Sequence, residues 1–227
     1  MDPGLVMLAV LALSPLMLLA EVMAFRRACL PPGEGPLLLG LGAFLAGAVS
    51  GALILQLLKV VPSSGPPLNE LLWGPLREEV LKAAVLTPFI LWRRDLRFGL
   101  WLGAAVGLGF AAFENHSAMM AADTLEDFLR VGFERTLLCP LHGLTTAIAG
   151  AAIAQRRWWL LLLSLALHVA WNAAADVPEV MIRPLINVLH VRGRDVPDAW
   201  TLLLGVPLFA AIAALVRFAR ARRLSGS

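Results

Sequence analysis

Four short polar motifs interrupt the long apolar stretches of this sequence, and each contains residues that can transfer protons or donate hydrogen bonds. The motifs are REEVLK (77–82), FAAFENH (110–116), LHGLTT (141–146) and LHVAWN (167–172). A charged side chain at the centre of a bilayer costs on the order of 3 kcal/mol, so such residues usually face a bundle interior or a watery cavity. The candidate site residues are Arg77, Glu78, Glu79, Lys82, Glu114, Asn115, His142, His168 and Asn172.

The adjacent glutamates, Glu78 and Glu79, are the candidate catalytic base. Two adjacent carboxylates in a low-dielectric setting cannot both ionise cheaply, so the pair should hold a proton or contact a cation. Lys82 and Arg77 are the local candidates for that cation. A glutamate that stays partly basic can take a proton from water, which is what hydrolysis without a serine or cysteine nucleophile requires. Which glutamate is the base stays open at this point.

Histidine and asparagine side chains in the later motifs could stabilise the negative charge that forms when water adds to a carbonyl. The imidazoles of His142 and His168 and the amide of Asn172 can donate hydrogen bonds to such an oxyanion. His168 and Asn172 are four residues apart, so they share one face of a helix. With Glu114 as a third carboxylate, the motifs contain a base, acids and donors.

The elements that must position these residues are membrane-spanning helices. Apolar residues make up 59% of the chain and charged residues 15%, with a mean hydropathy of +0.78, and a soluble domain is well below that apolar fraction. About 20 apolar residues cross the roughly 30 Å of hydrocarbon. The sequence therefore predicts an all-α, polytopic membrane helix bundle, a single membrane-embedded domain over 1–227 with about seven transmembrane helices. They lie near 4–25, 36–58, 73–92, 98–122, 133–154, 158–175 and 200–218.

The arginines predict the orientation of this bundle. They follow the odd-numbered spans, at 26–27, 93–97, 156–157 and 217–223, and basic residues near span ends accumulate on the cytoplasmic side. The amino terminus should therefore face outside and the carboxyl terminus the cytoplasm. At 1.5 Å per residue, the glutamates and histidines of the four motifs then lie about 9 to 14 Å below the outer ends of their spans. This common level in the outer half of the membrane indicates one site.

Arginine anchoring also explains the basic character of the chain. The sequence pI is about 9.5, which cytoplasmic contact with anionic lipid headgroups accounts for. No nucleic-acid motif is present in the sequence. The expected partner is therefore the lipid bilayer and not a nucleic acid.

In this order, the motifs resemble those of the PrsW family of intramembrane proteases, relatives of the CAAX prenyl endopeptidase and bacteriocin-processing superfamily. Glu78, Glu79 and Lys82 match that family's EExxK element. Residues 110–115 match FxxxEN, His142 fits the histidine of the third element, and 168–172 match HxxxN. The resemblance covers roughly 77–172, within a motif-bearing core of about 73–176. EExxK alone is a weak signal, whereas the four motifs together form a fairly specific one.

The resemblance implies an intramembrane endopeptidase of the cell membrane that cuts membrane-anchored proteins near the outer leaflet with a glutamate-activated water. Its substrates would be single-pass proteins such as anti-sigma factors, and it would need no metal or other cofactor. The CAAX branch usually has histidine where Glu114 stands, which makes a prenylated substrate less expected. By this resemblance, Glu78 and Glu79 would supply the catalytic base, and Glu114 and His142 would complete the polar centre. His168 and Asn172 would bind the water and the oxyanion. The supporting residues would be Lys82, Asn115 and Arg77.

Other functions explain part of the same pattern. His142, His168 and Glu114 could bind zinc, although the sequence has no HExxH helix. A proton-coupled transporter or channel also uses acids and histidines within spans, but the cytoplasmic halves of spans three to six are nearly all apolar. In a non-enzymatic scaffold the same groups would only bond helices to one another, which is also the plainer interpretation of Asn115.

One loop has an unusual composition. Residues 177–198 contain the apolar run MIRPLINVLHV, which is too short to span a membrane and has arginines and prolines around it. We expect 180–191 to form a short interfacial helix that covers the site or guides the substrate, with a plain structured loop as the alternative.

Overall fold

A computed structural model describes residues 3–60 and 67–173, and every regular element in that part of the chain is an α-helix. The all-α prediction is confirmed for these residues. The predicted span 200–218 and the predicted interfacial helix 180–191 lie outside them. The helices are α1 (Pro3–Cys29), α2 (Leu37–Val60), α3 (Pro67–Trp92), α4 (Leu96–Met120), α5 (Leu125–Leu138), α6 (Pro140–Gln155) and α7, described over Trp159–Ala173.

Three of the described helices are long and apolar enough to cross a membrane by length and composition. These stretches are Gly4–Cys29, Leu37–Gln56 and Leu96–Met120. Helix α3 is of similar length, with 26 residues, but it contains the charged REEVLK motif. Helix α6 has 16 residues, which corresponds to only about 24 Å at 1.5 Å per residue.

Helix α4 is the central helix of the described bundle. In its most apolar 18-residue window 83% of the residues are buried, against 17% for α1 and 39% for α2. It begins after Asp95, whose carboxylate accepts hydrogen bonds from the backbone N–H groups of Arg97 and Phe98. Such a cap satisfies amide groups that have no partner within the helix. The FxxxEN motif occupies the last turns of this helix, so its position follows from the packing of α4.

Glycines allow α4 and α6 to approach until their backbones touch. Gly99, Gly103 and Gly107 repeat every four residues on the face of α4 that meets α6. A Cβ atom on any of them would overlap a carbonyl oxygen of α6, namely that of Gly150, Thr146 or His142, respectively. Small residues at such spacing are typical of helix contacts in membranes. The contact at Gly107 fixes the backbone of His142, a predicted site residue.

The predicted fifth span, 133–154, differs from the structure. Helix α5 ends at Leu138 and α6 begins at Pro140. Proline has no N–H group and its ring clashes with the carbonyl four residues earlier, so an unbroken helix through this point is disfavoured. Residues 125–132, predicted as loop, belong to α5, which Thr124 caps by accepting a hydrogen bond from the Asp127 N–H group. The helix that contains His142 is therefore shorter than the predicted span.

The glycine contact predicts a stability difference between two matched substitutions. Gly107→Ala should lower the unfolding midpoint in detergent, because the new Cβ meets rigid backbone and overpacking costs roughly 1–3 kcal/mol. Gly74→Ala in α3 is the control, since a Cβ there meets nothing within 4 Å. Both changes gain the same helix propensity, about 1 kcal/mol. Equal midpoints for the two variants would contradict the proposed backbone contact.

Candidate active site

The carboxylate of Glu79 lies at the centre of a buried polar cluster formed by α3, α6 and α7. Its Oε1 accepts hydrogen bonds from Lys82 Nζ at 2.5 Å, His168 Nδ1 at 2.9 Å and Thr145 Oγ1 at 3.2 Å. Its Oε2 accepts from Ser164 Oγ at 2.8 Å. Four side-chain donors thus lie around one carboxylate, as a buried charge requires. The single hydroxyl proton of Ser164 has two acceptors, Glu79 Oε2 and the Thr145 carbonyl oxygen, each at 2.8 Å.

Lys82 provides the buried positive charge of the cluster. Its side chain has no solvent exposure, and it lies one helical turn after Glu79 on α3. Besides the ion pair with Glu79, Nζ lies 3.2 Å from His142 Nδ1, 4.0 Å from Glu78 Oε2 and 4.8 Å from the centre of the Phe110 ring. An ammonium over an aromatic face is itself attracted to it. Lys82 therefore takes the role of local cation that the sequence left open between it and Arg77.

Glu78 has a different environment from its neighbour. Its Oε2 is buried and has no hydrogen-bond partner among the described residues. His168 Nε2 lies 3.7 Å from this oxygen, and Lys82 Nζ and His142 Nδ1 both lie 4.0 Å from it, distances that are too long for hydrogen bonds. Adjacent residues on a helix point about 100° apart, so one glutamate faces the donors while the other faces the space beside them.

A second ion pair connects the cluster to α5. Glu114 Oε2 lies 3.0 Å from His142 Nε2, and its Oε1 accepts a hydrogen bond from Arg135 Nη1 at 2.9 Å. The Glu114 side chain is 36% exposed. The chain Arg135–Glu114–His142 therefore runs from the accessible edge of the bundle to the buried Lys82.

The hydrogen-bond partners of His142 and His168 indicate which ring nitrogen of each neutral imidazole carries the proton. An ammonium only donates, so His142 Nδ1 accepts from Lys82 and the proton lies on Nε2, where it is donated to Glu114. His168 has the opposite arrangement, because its Nδ1 donates to Glu79 and its Nε2 keeps a lone pair. That lone pair lies on the side of Glu78.

Asn172 and Asn115 differ in their relation to the cluster. Asn172 is half-buried on α7, one turn after His168, and makes no side-chain hydrogen bond to another described residue. The Asn115 amide nitrogen instead donates to Ser14 at 2.8 Å and Thr136 at 3.1 Å, which joins α4 to α1 and α5. Asn115 therefore bonds helices together, as the plainer interpretation of the sequence had it.

Three contributors to the cluster were not among the predicted site residues. Ser164 and Thr145 bind Glu79, and Arg135 binds Glu114. Helical spacing could have indicated two of them, since Ser164 is four residues before His168 and Thr145 is three after His142. Arg135 had no such signal, because it belongs to a helix that was predicted as loop and span.

A cavity of about 150 Å³ lies beside Glu78, between α2, α3 and α4. Apolar side chains form most of its wall, and two carboxylates complete it. The lining residues are Gly51, Ile54, Leu55, Glu78, Phe110, Phe113, Glu114 and Ser117. The Glu78 side chain therefore borders a space large enough for water and part of a substrate.

One group of side chains in the described part of the chain could hold a metal ion. Glu78, His142 and His168 each offer one ligand atom, and these atoms lie within 4.8 Å of one another. A carboxylate and two imidazoles are a common donor set for zinc. The sequence-based zinc alternative named Glu114 in place of Glu78, but the oxygens of Glu114 contact His142 and Arg135.

Comparisons with known proteins give one match. The family model described as PrsW family intramembrane metalloprotease matches residues 35–212, a range that contains all four motifs. No curated protein matches the chain, and no solved structure does.

The assigned proton positions give a direct spectroscopic prediction. The chain has four histidines, and a His116→Gln, His190→Gln background leaves the two in the cluster. Nitrogen-15 spectra of this protein in micelles should show neutral His168 with its proton on Nδ1 and neutral His142 with its proton on Nε2. The reverse assignment at either residue would contradict the hydrogen-bond directions given above.

Proposed function

The chain belongs to the PrsW family of intramembrane proteases and is therefore a peptidase, and we propose that it cuts membrane-anchored proteins with a water molecule activated by Glu78. The observation that carries this proposal is the contrast between the two glutamates. Glu79 contacts four side-chain donors, whereas Glu78 Oε2 has no hydrogen-bond partner among the described residues and the Glu78 side chain lines a cavity. The family match does not favour a transporter or channel.

Glu78 is the better base because it lines the cavity and no described residue donates a hydrogen bond to its Oε2. A general base must reach the proton that it takes, directly or through one water. Water bound at Glu79 would compete with the donors that already contact this carboxylate, three at Oε1 and one at Oε2, and removal of a partner from a buried charge is costly. Glu79 instead acts as a positioning residue that holds Lys82 and His168 in place.

The neighbouring groups have complementary roles in the proposed reaction. Water binds between Glu78 and the scissile carbonyl, and His168 Nε2 accepts its second hydrogen. Glu78 takes a proton as the water oxygen adds to the carbonyl carbon, and the Asn172 amide donates to the resulting oxyanion. Glu78 then returns the proton to the leaving amine as the C–N bond breaks. Glu114 and Arg135 hold His142, which in turn fixes Lys82.

The arginine pattern supports a site on the extracytoplasmic side of the cell membrane. In the proposed multi-pass arrangement the amino terminus is outside, and the cluster lies in the outer half of the bilayer. The substrates would be single-pass membrane proteins cut near the outer leaflet, of which anti-sigma factors are the class that we propose.

Replacing the two glutamates should separate catalysis from stability. Glu78→Gln should lower kcat/KM for a cleaved single-pass substrate by about 10²–10⁴-fold, as expected for loss of a general base, with little change in the unfolding midpoint. Glu79→Gln should lower both activity and the midpoint, because it leaves Lys82 as an unpaired buried charge. Cleavage by purified protein in liposomes and thermal unfolding in detergent measure the two effects.

The matched control is Glu34→Gln, which makes the same change in an exposed residue paired with Arg93. It should leave cleavage unchanged. Wild-type rates in Glu78→Gln would refute the assignment of the base, and wild-type rates in both Glu78→Gln and Glu79→Gln would refute a glutamate mechanism altogether.

Zinc catalysis is the second candidate, favoured by the family description and by the donor set. The unpartnered Glu78 Oε2 fits a metal ligand, and so does His168, whose other nitrogen donates to a carboxylate. Held by Glu78, His142 and His168, the ion would activate water and polarise the scissile carbonyl. Against this set stands Lys82, whose ammonium already binds His142 Nδ1 and lies 4.0 Å from Glu78.

Metal analysis distinguishes the two mechanisms. We expect Glu78-dependent cleavage to continue after dialysis against a zinc chelator, because Lys82 provides the cation of the cluster. Zinc should be substoichiometric in both the wild type and His168→Ala. About one zinc per chain, lost in His168→Ala, with chelator-sensitive cleavage that zinc restores, would establish the metal mechanism instead.

A further inference from the structure

The cavity beside Glu78 has an apolar wall that the proposed hydrolysis does not use. Ile54 and Leu55 of α2 and Phe110 and Phe113 of α4 form this wall. Ile54 is 8% exposed, whereas Leu55 is 38% exposed. The cavity therefore has buried apolar surface and continues to the carboxylate that we assign as the base.

We propose that this cavity is the subsite for the substrate side chain next to the scissile bond, and that it selects a side chain of leucine or phenylalanine size. We refer to it as the side-chain subsite, with the lining given above. The inference rests on the proposed function, because it takes Glu78 as the position of the reacting water.

Geometry connects the side-chain subsite to the bond that is cut. Reacting atoms must come within about 3–3.5 Å of each other, so the scissile carbonyl has to approach the water held at Glu78. The side chain of the residue that carries this carbonyl starts one atom away from it. A cavity lined by Glu78 itself is thus within reach of that side chain.

Size and polarity restrict what the subsite can accept. An apolar cavity of about 150 Å³ holds a group the size of benzene, and this one has about that volume. Of its two carboxylates, Glu114 is already paired with Arg135 and His142. A lysine or arginine side chain would lose its hydration against Phe110 and Phe113, and it would gain only Glu78, a carboxylate that already lies 4.0 Å from the Lys82 ammonium. An acidic side chain would meet the like charge of Glu78.

Gly51 limits the width of the subsite. A Cβ atom there would lie 3.0 Å from Phe113 Cδ1, 3.2 Å from Phe113 Cβ and 3.3 Å from the Phe110 carbonyl oxygen. The bare backbone of α2 therefore forms part of the wall, and any side chain at Gly51 would press on Phe113. Leu55, which is more exposed, is the position where size can be changed with least effect on folding.

The test uses liposomes that contain the full chain and a pool of single-pass test proteins with a randomised juxtamembrane segment, with cut sites read by mass spectrometry. The variants are Leu55→Trp, which narrows the subsite, and Leu55→Ala, which widens it. Leu53→Trp is the matched control, because Leu53 is 49% exposed on the same helix and does not line the cavity. Glu78→Gln gives the background level of cleavage that does not depend on Glu78.

The wild type and Leu53→Trp should prefer leucine, methionine or phenylalanine at one position flanking the cut, by about tenfold over charged residues. Leu55→Trp should shift that preference to alanine or glycine, and Leu55→Ala should shift it toward phenylalanine and tryptophan. Glu78-dependent cleavage with the same profile in both Leu55 variants, or with a preference for lysine or arginine, would overturn the subsite alone. Absence of any Glu78-dependent cleavage would overturn the proposed function and the subsite together.

Discussion

The ion pair between Lys82 and Glu79 is the interaction on which the rest of the site depends. A buried ammonium and a buried carboxylate are tolerated only when their remaining hydrogen-bonding capacity is satisfied. Here the additional donors to Glu79 come from α6 and α7, through Thr145, Ser164 and His168. The pair therefore fixes where three helices stand relative to one another. It also bears on the chemistry, because the donors gathered around Glu79 leave Glu78, which lines the cavity, as the more available carboxylate.

The glycine face of α4 makes this arrangement geometrically possible. Polar groups from different helices can meet only if the helix axes approach closely, and the contact at Gly107 brings the α6 backbone against α4 at His142. Small residues are the usual means of such approach in membranes. His142 thus belongs both to the contact between the helices and to the polar cluster. A change in helix separation therefore moves His142 relative to Lys82 and Glu114.

Helical spacing was enough to predict that the four motifs meet, but it did not indicate which residue has which catalytic or positioning role. The depth argument placed Glu79, His142 and His168 at one level, and the structure brings them into contact. Which of two adjacent glutamates faces the donors depends on helix rotation, and the mostly apolar residues around REEVLK carry little periodic signal for that. The break at Pro140 was visible in the sequence, yet the apolar residues around it indicated one long span. For the same reason Arg135 was expected only near the outer rim, as a loop or supporting residue.

A double-mutant cycle on the central ion pair tests the account most directly. The free energy of unfolding in mixed micelles should fall by roughly 3–5 kcal/mol in Glu79→Gln and in Lys82→Met, because each change leaves the other charge buried without its partner. In the double variant the loss should be well below the sum of the two, since neither member of the Lys82–Glu79 pair remains buried without the other. Losses that simply add would show that the two side chains do not depend on each other, and would contradict the account.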